Sequence, residues 1–182
     1  MSEYFPGEIR IGGPIRRHLL KRLIAAIVAE GVSLGNYGDR PATQESLQEA
    51  FAAGDVVHLY DDQACYGQFE GLEAFLARHR IHFDRHSDSR YEFSAENVYY
   101  RGRGRPIILF ATEDGAPLLP CDEITAVLDR KSLDDAARLR AIRRKAAAPA
   151  MRPLTPVQLV SRAGQKGGRR RCPRRANSTL PG

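Results

Sequence analysis

The sequence predicts an α+β fold, with a mixed sheet of about five strands, helices mainly on one face, and a disordered basic C-terminal tail. The first observation is that the apolar spacing over residues 56–101 changes from a period of two to one of about 3.6 and back again. The second is a split in charge. Residues 1–139 hold 16 Lys and Arg against 22 Asp and Glu, whereas residues 140–182 hold 12 Lys and Arg and no acidic residue. We therefore divide the chain into a mildly acidic α+β domain over 1–138 and a basic helix end with a disordered tail over 139–182.

The central unit of the predicted domain is a strand, a helix and a second strand. In the first strand, at 56–61, the side chains of Val56, Val57, Leu59 and Tyr60 are β-branched, aliphatic or aromatic, as is typical of a strand. Residues 68–80 place apolar side chains at spacings of three and four, which predicts a helix with one apolar face. Residues 81–86 alternate between apolar and polar side chains, so they form the second strand. A unit of this length is most simply a βαβ crossover with parallel strands, and the nearest named arrangement is the ferredoxin-like split βαβ.

The remaining elements follow from the same patterns. We expect further strands at 8–11, 91–93, 98–100, 107–111 and 116–119, with a tight turn at 94–97, and further helices at 15–30, 43–53, 121–129 and 133–148. Pro, Gly, Ser and Arg dominate the chain after Pro149, and such a composition buries too little apolar surface to offset chain entropy. We therefore expect residues 150–182 to make no packed contacts. The predicted core consists of Leu23, Ile27, Leu59, Leu72, Phe75, Leu76, Phe83, Ile108 and Phe110.

One candidate site lies at the C-terminal edge of the central unit. In a parallel crossover the ends of both strands lie at one edge of the sheet, where open α/β sheets bind ligands. Asp61 and Asp62 would then lie near His86 and Asp88. Such a set could hold a divalent metal or carry out acid–base chemistry, which gives the hypothesis of a metal-dependent hydrolase or nuclease. The other interpretation is that these are turn residues with local hydrogen bonds.

A second candidate is a metal site on one strand face. His82, Asp84 and His86 project from the same face at alternate positions. Histidine and carboxylate together are ligands of many zinc and iron sites. The alternative is an exposed polar strand face.

Two basic segments favour contact with nucleic acid. Arg101, Arg103 and Arg105 form the run RGRGR, which follows Tyr99 and Tyr100 as candidates for base stacking. Positive charges without acidic neighbours neutralise phosphates and release counterions, whatever the nucleotide sequence. An unselected extension is the alternative explanation of the tail. The tail cations that we assign to phosphate contact are Arg169, Arg170, Arg171, Arg174 and Arg175.

These observations favour a small non-enzymatic binding or adaptor protein. The acidic domain would contact a protein partner, and the basic tail would contact nucleic acid without sequence preference. We expect no cofactor, except a divalent metal under the hydrolase hypothesis. No apolar run reaches 18 residues, so we expect no membrane contact. The cysteines Cys65, Cys121 and Cys172 are too widely spaced for a CxxC metal pair and are odd in number, which favours the reducing cytoplasm.

Overall fold

The computed structural model describes residues 3–35, 38–90, 93–112, 115–116, 118–146 and 152–161. The strands in these ranges are β1 (Tyr4–Gly12), β2 (Pro14–Arg16), β3 (Ser33–Leu34), β4 (Arg40–Pro41), β5 (Val57–Cys65), β6 (His82–Ser87), β7 (Ala95–Tyr100), β8 (Ile107–Ala111) and β9 (Gln158–Val160). The helices are α1 (Leu20–Glu30), α2 (Gln44–Ala53), α3 (Glu70–His79), α4 (Cys121–Leu128) and α5 (Asp135–Ala146). A 3-10 turn at Arg17–Leu19 leads into α1.

The α+β class is confirmed, but the sheet is larger and more regular than predicted. It has seven strands in the order β4-β3-β5-β1-β6-β7-β8, rather than about five. Every neighbouring pair in it is antiparallel, so the prediction of a mixed sheet is wrong. The one parallel pair in the described ranges joins β2 to β9 in a separate two-stranded sheet.

The central unit has the predicted elements in an arrangement that the sequence did not reveal. Both β5 and β6 pair antiparallel to β1, so they run in the same direction, as expected of a βαβ unit. However, β1 lies between them, and the unit is therefore split. The ferredoxin-like arrangement is not confirmed, because the element order does not consist of two such units.

The core lies between one face of the sheet, which we call the inner face, and helices α1, α2 and α3. Ile9 and Ile11 of β1 project onto this face and are fully buried. Most of the predicted core is confirmed, with Phe75 partly buried at its margin. The prediction that Ile108 and Phe110 are buried is wrong, since they are 59% and 46% exposed. They lie on β8, which pairs only with β7 at the edge of the sheet.

Two local predictions are also wrong. The helix expected from residue 15 begins later, because Pro14–Arg16 forms β2 and pairs with β9. The expected turn at 94–97 is absent, because Ala95–Tyr100 is one continuous strand between β6 and β8. In both places tertiary strand pairing overrides the local turn or helix preference. Two of the expected strands lie partly outside the described ranges. These are the strand at 91–93, of which residues 91–92 are not described, and the strand at 116–119, of which residue 117 is not described.

A buried ion network crosses the inner face. Arg85 of β6 is 3% exposed, and its Nη2 donates to Glu96 Oε2 at 2.9 Å. Its Nη1 donates to the carbonyl of Gly67 at 3.2 Å. Its Nε lies 3.0 Å from Glu73 Oε1, at an angle that does not make a hydrogen bond. Burial raises the pKa of Glu73, against the opposing effect of Arg85.

Helix α3 is capped by carboxylates, one of which comes from α1. Glu73 Oε1 accepts a hydrogen bond from the backbone N–H of Phe69 at 3.2 Å. Glu30 Oε1, at the end of α1, accepts one from the backbone N–H of Leu72 at 2.7 Å. A side chain at Gly71 would come within 2.7 Å of the same Glu30 oxygen. These contacts satisfy free N–H groups of the first turn and fix α3 against α1.

The last described segment, residues 152–161, packs back onto the domain, and we call it the strap. Its strand β9 pairs with β2, and Val157 is 6% exposed within the core. The prediction that nothing after residue 150 makes packed contacts is therefore wrong for the strap. The rest of the expected disordered tail, residues 162–182, lies outside the described ranges.

Truncation of Leu72 tests the position of α3. Leu72 is fully buried, so Leu72→Ala removes core contacts and leaves a cavity. We expect the free energy of unfolding to fall by about 2–5 kcal/mol. Leu128→Ala, at a leucine that is 49% exposed on α4, should change it far less. Equal effects in urea denaturation would contradict the assigned packing of α3.

Two truncations test the strap. A chain that ends at residue 161 retains β9 and should keep the full Tm. A chain that ends at residue 151 loses the β2–β9 pairing and the buried side chain of Val157. Burial of one valine contributes about 1.5–3 kcal/mol, so Tm should fall by several degrees. The same Tm for both truncated chains in differential scanning calorimetry would show that the strap does not stabilise the domain.

Candidate nucleic-acid interface

The face of the sheet opposite α1, α2 and α3, which we call the outer face, carries polar side chains. In β1, Arg10 alternates with the buried Ile9 and Ile11 and so projects outward. Its register partners are His58 on β5 and Asp84 on β6. Most of the residues that the sequence singled out therefore lie on this face or at its ends.

Asp84 is the charged centre of the outer face. It is 6% exposed, and Arg101 contacts it through both Nη1 and Nη2, the latter at 3.1 Å from Oδ2. Arg10 Nη2 lies 3.7 Å from the same oxygen. The carboxylate is therefore neutralised by two guanidinium groups. Arg101 also donates to the carbonyls of Phe83 and Tyr100, at 3.1 and 3.0 Å, and its side chain is only 18% exposed.

The three predicted metal ligands on β6 share the outer face but have separate partners. Asp84 is held by arginines, as described above. His86 Nδ1 lies 2.8 Å from Asn97 Oδ1, and His86 Nε2 lies 3.4 Å from Asp88 Oδ1. His82 lies against glycine backbone at the far end of the strand. Among the described residues, no three His, Cys, Asp or Glu side chains come together as a set that could hold a metal.

The predicted catalytic residues lie at one end of the sheet, as the sequence indicated, but β1 separates them. Gly7 of β1 is the register partner of both Asp61 and Ser87. The strands β5 and β6, on either side of β1, are therefore two strand spacings apart, about 10 Å. His86 does contact Asp88, whereas Asp61 Oδ1 accepts the backbone N–H of Gln63 at 3.0 Å. The contact to Gln63 favours the interpretation of Asp61 as a turn residue.

The pKa of Tyr60 is raised by the carboxylates at this acidic end of the sheet. Its phenol projects from β5 onto the outer face, one position before Asp61. Burial raises its pKa, and the carboxylates of Asp62, Asp88 and Asp61 raise it further, in that order. Negative charge therefore concentrates here, so this end would repel phosphates.

The opposite end of the sheet is built around His82 and the RGRGR loop. The imidazole lies against Gly13 and Gly102, where a Cβ would come within about 3 Å of its ring nitrogens. Gly102 also has a positive φ of 74°, so the loop needs glycine there for both backbone conformation and space. The loop presents Arg103 and Arg105 as exposed side chains.

The strap brings one further arginine, Arg152, to this end. Arg101 Nε donates to the carbonyl of Arg152 at 2.9 Å, which joins the RGRGR loop to the start of the strap. The carbonyl of Thr155 accepts the N–H of Gly13 at 2.8 Å. The carbonyl of Arg80 lies 3.0 Å from where a Cβ on Gly102 would stand, and the charge of Arg16 acts on the neighbouring His79. We call this region the basic end, and its exposed arginines are Arg16, Arg80, Arg103, Arg105 and Arg152.

The nucleic-acid residues predicted from sequence fall into three groups. Arg103 and Arg105 are exposed in the basic end, whereas Arg101 is held by Asp84 and positions the loop. Arg169, Arg170, Arg171, Arg174 and Arg175 lie outside the described residues. The stacking role expected of Tyr100 is wrong, since its ring packs 5.6 Å from Phe83 and is 4% exposed.

Sequence reasoning missed Arg16, Arg80 and Arg152, because nothing local connects them. Arg16 is the last residue of β2, Arg80 is the C-cap of α3 and Arg152 begins the strap. The one available signal was the segment PVQLV at 156–160, whose alternating apolar residues are typical of a short strand. Identifying that strand would have predicted that the basic segment after Ser161 is attached to the domain at its first residue.

No family model, no curated protein and no solved structure matches this chain. In the described ranges, each helix is too short or too polar to cross a lipid bilayer. The interpretation of the basic end therefore depends on its own geometry and charge.

The histidines of the outer face predict a pH dependence of stability. Burial lowers the pKa of His82 below its ordinary 6.5, and Arg101 lowers it further against the opposing effect of Asp84. Burial and Arg10 lower the pKa of His58 in the same way. Below pH 6.5 these two histidines therefore bind more protons in the unfolded chain than in the folded one. The stabilisation is present above pH 6.5 and is lost as the pH falls through the folded-state pKa values.

We expect His82→Asn to flatten the fall in unfolding free energy between pH 7.5 and pH 5. Gln68→Asn, at an exposed residue that does not ionise, should leave that fall unchanged. Urea denaturation at four or five pH values measures both slopes. An identical pH profile for wild type and His82→Asn would show that His82 titrates alike in the folded and unfolded states.

Proposed function

We propose that this protein is a small non-enzymatic nucleic-acid-binding protein that contacts phosphates through the basic end and the basic chain that follows Ser161. The observation that supports this most directly is the Arg101–Arg152 contact together with the β2–β9 pairing. Through these contacts the strap begins beside the RGRGR loop and ends beside Arg16, where the basic C-terminal segment continues from it. The two basic segments then act as one phosphate-binding surface.

The charges of the basic end favour binding without sequence preference. Arginine carries a planar guanidinium that binds phosphate oxygens in a bidentate manner, and exposed arginines on loops contact any backbone. Asp84, the acidic residue beside this region, is already neutralised by Arg101 and Arg10. Phosphates would therefore meet little opposing charge at the basic end, in contrast to the acidic end around Tyr60.

The nucleic acid would lie along the edge of the outer face. Tyr99 projects there from β7, opposite Asp84 and Ile107. It is partly buried, so it offers one ring edge at most for contact with a base. Phosphate contacts, rather than base stacking, would then supply most of the affinity.

The hydrolase alternative has less support from the contacts of its residues. Asp61 accepts the backbone N–H of Gln63 in a turn. His86 and Asp88 do contact each other, but Asn97 also holds the imidazole. We therefore do not propose a catalytic role for this set.

We also propose that the protein works in a reducing compartment such as the cytoplasm. Cys65 and Cys121 are both free thiols with exposed side chains. Exposed unpaired thiols are typical of proteins that are kept reduced.

Fluorescence anisotropy with a labelled 20-nucleotide duplex tests the proposed function. If the basic end and the tail together neutralise about 4–6 phosphates, the slope of log K against log salt should be about −4 to −5. Affinity would then fall by more than two orders of magnitude between 50 and 200 mM salt. Arg103→Ala with Arg105→Ala should reduce the slope by about 1–2, since two phosphate contacts are lost. Truncation after residue 161 should reduce it further.

The control removes two exposed positive charges elsewhere, by Arg130→Ala with Lys131→Ala in the connection between α4 and α5. It should leave both affinity and slope nearly unchanged. Two duplexes of unrelated sequence should bind equally. Weak binding that is insensitive to salt and equal for all variants would refute the proposal.

A further inference from the structure

A groove between α1 and α2 lies outside the surface assigned to nucleic acid. Its volume is about 780 Å³, which is within the range of ligand and peptide sites. Helix α1 supplies one wall and the first turns of α2 supply the other. The lining residues are Arg17, Leu20, Lys21, Ile24, Ala25, Val28, Ala29, Gln44 and Gln48.

The floor of the groove is apolar and open to solvent. Val28 is 43% exposed, although it lies on a helix whose opposite side is fully buried. Ala25 and Ala29, one turn apart, are exposed and short, so the backbone of a partner can approach α1 closely. The 11 residues of α1 span about 16 Å, which matches three turns of a second helix. An amphipathic helix fits such a groove with apolar anchors at i, i+3 or i+4, and i+7.

The charge of the groove is positive at one end. Arg17 lies in the 3-10 turn before α1 and Lys21 in the first turn of α1, where both add to the positive end of the helix dipole. No Asp or Glu is among the lining residues. Neither cation forms an ion pair within the described part of the chain. Carboxylates of a partner would offset the repulsion among Arg17, Lys21 and the positive end of the helix dipole, and would attract both cations.

We propose that this groove binds an acidic amphipathic helix of a partner protein. The apolar side of that helix covers Ile24 and Val28, and its carboxylates lie beside Arg17 and Lys21. The amides of Gln44 and Gln48 can donate to polar groups at its margin. Because α1 ends at Gly31 with the negative end of its dipole, the acidic residues of the partner gather at the Arg17 end.

Charge also argues against two other occupants. The segment 162–182 of this chain contains seven Lys and Arg and no Asp or Glu, and few apolar residues. It cannot complement a positive groove. A second copy of the chain related by a two-fold axis would present the same lining residues, among which no Asp or Glu is available to pair with Arg17 or Lys21. The proposal is independent of nucleic-acid binding, since no residue of the basic end lines the groove.

Selection from a library of 16-residue peptides displayed on phage, with the full-length protein as the target, tests the proposal. We expect enrichment of sequences with Leu, Ile or Phe at helical spacing and Asp or Glu toward one end. A selected peptide, synthesised with a fluorescent label, should bind at least tenfold more weakly to Val28→Asp and to Arg17→Glu with Lys21→Glu. The control Arg78→Glu reverses an exposed charge on α3 and should keep the affinity.

The nucleic-acid affinity of Val28→Asp should equal that of wild type, which separates this result from the function proposed above. Enriched peptides that bind Val28→Asp as tightly as wild type, or that lack acidic residues, would overturn the proposal. A dimer in light scattering that Val28→Asp dissociates would assign the groove to a second copy. Backbone NMR shifts confined to the groove on truncation after residue 161 would assign it to the C-terminal segment. Either result would also overturn the proposal.

Discussion

The pairing of β1 with β5 on one side and with β6 on the other determines the arrangement of the rest of the domain. Through these two ladders β1 shares hydrogen bonds with both strands of the central unit. Its Ile9 and Ile11 fix the inner face, onto which the three helices pack. Its Arg10 fixes the outer face and contributes to the neutralisation of Asp84. A shift of β1 by one residue would exchange the two faces, because side chains alternate along a strand.

The elements that follow from local pattern were predictable, and those that depend on distant partners were not. The helix at 70–79 and the strand at 82–87 appear where apolar spacing placed them, because that spacing is a property of neighbouring residues. The insertion of β1 between two strands more than 40 residues away leaves no local trace. Arg85 illustrates the same limit. Its side chain lies on the inner face with that of Phe83, and its acidic partners come from α3 and β7.

Some residues of the candidate site could be named from the sequence, but the way in which separate elements bring them together could not. The sequence identified Arg103 and Arg105 as basic and exposed, and they are. It also identified a carboxylate and histidine set near one end of the sheet. What it could not show is that Asp84 is committed to Arg101, and that the exposed arginines of three separate elements come to the same end as the loop. The composition of the chain after Pro149 also gave no sign of β9, since its three residues contribute little to the average over a segment rich in Gly and Arg.

Fixing the base of the C-terminal segment sets an upper limit on how far its charges can move. Arg169 is eight residues beyond Ser161, so the contour length of the chain keeps it within about 29 Å of that residue in any conformation. Under the proposed function, a phosphate held at the basic end would meet the downstream arginines at an effective concentration on the order of 10 mM. The second contact would be intramolecular, because the first contact has already met most of the translational entropy cost. Such avidity would allow two individually weak surfaces to hold one strand, and it would disappear if the strap detached from β2.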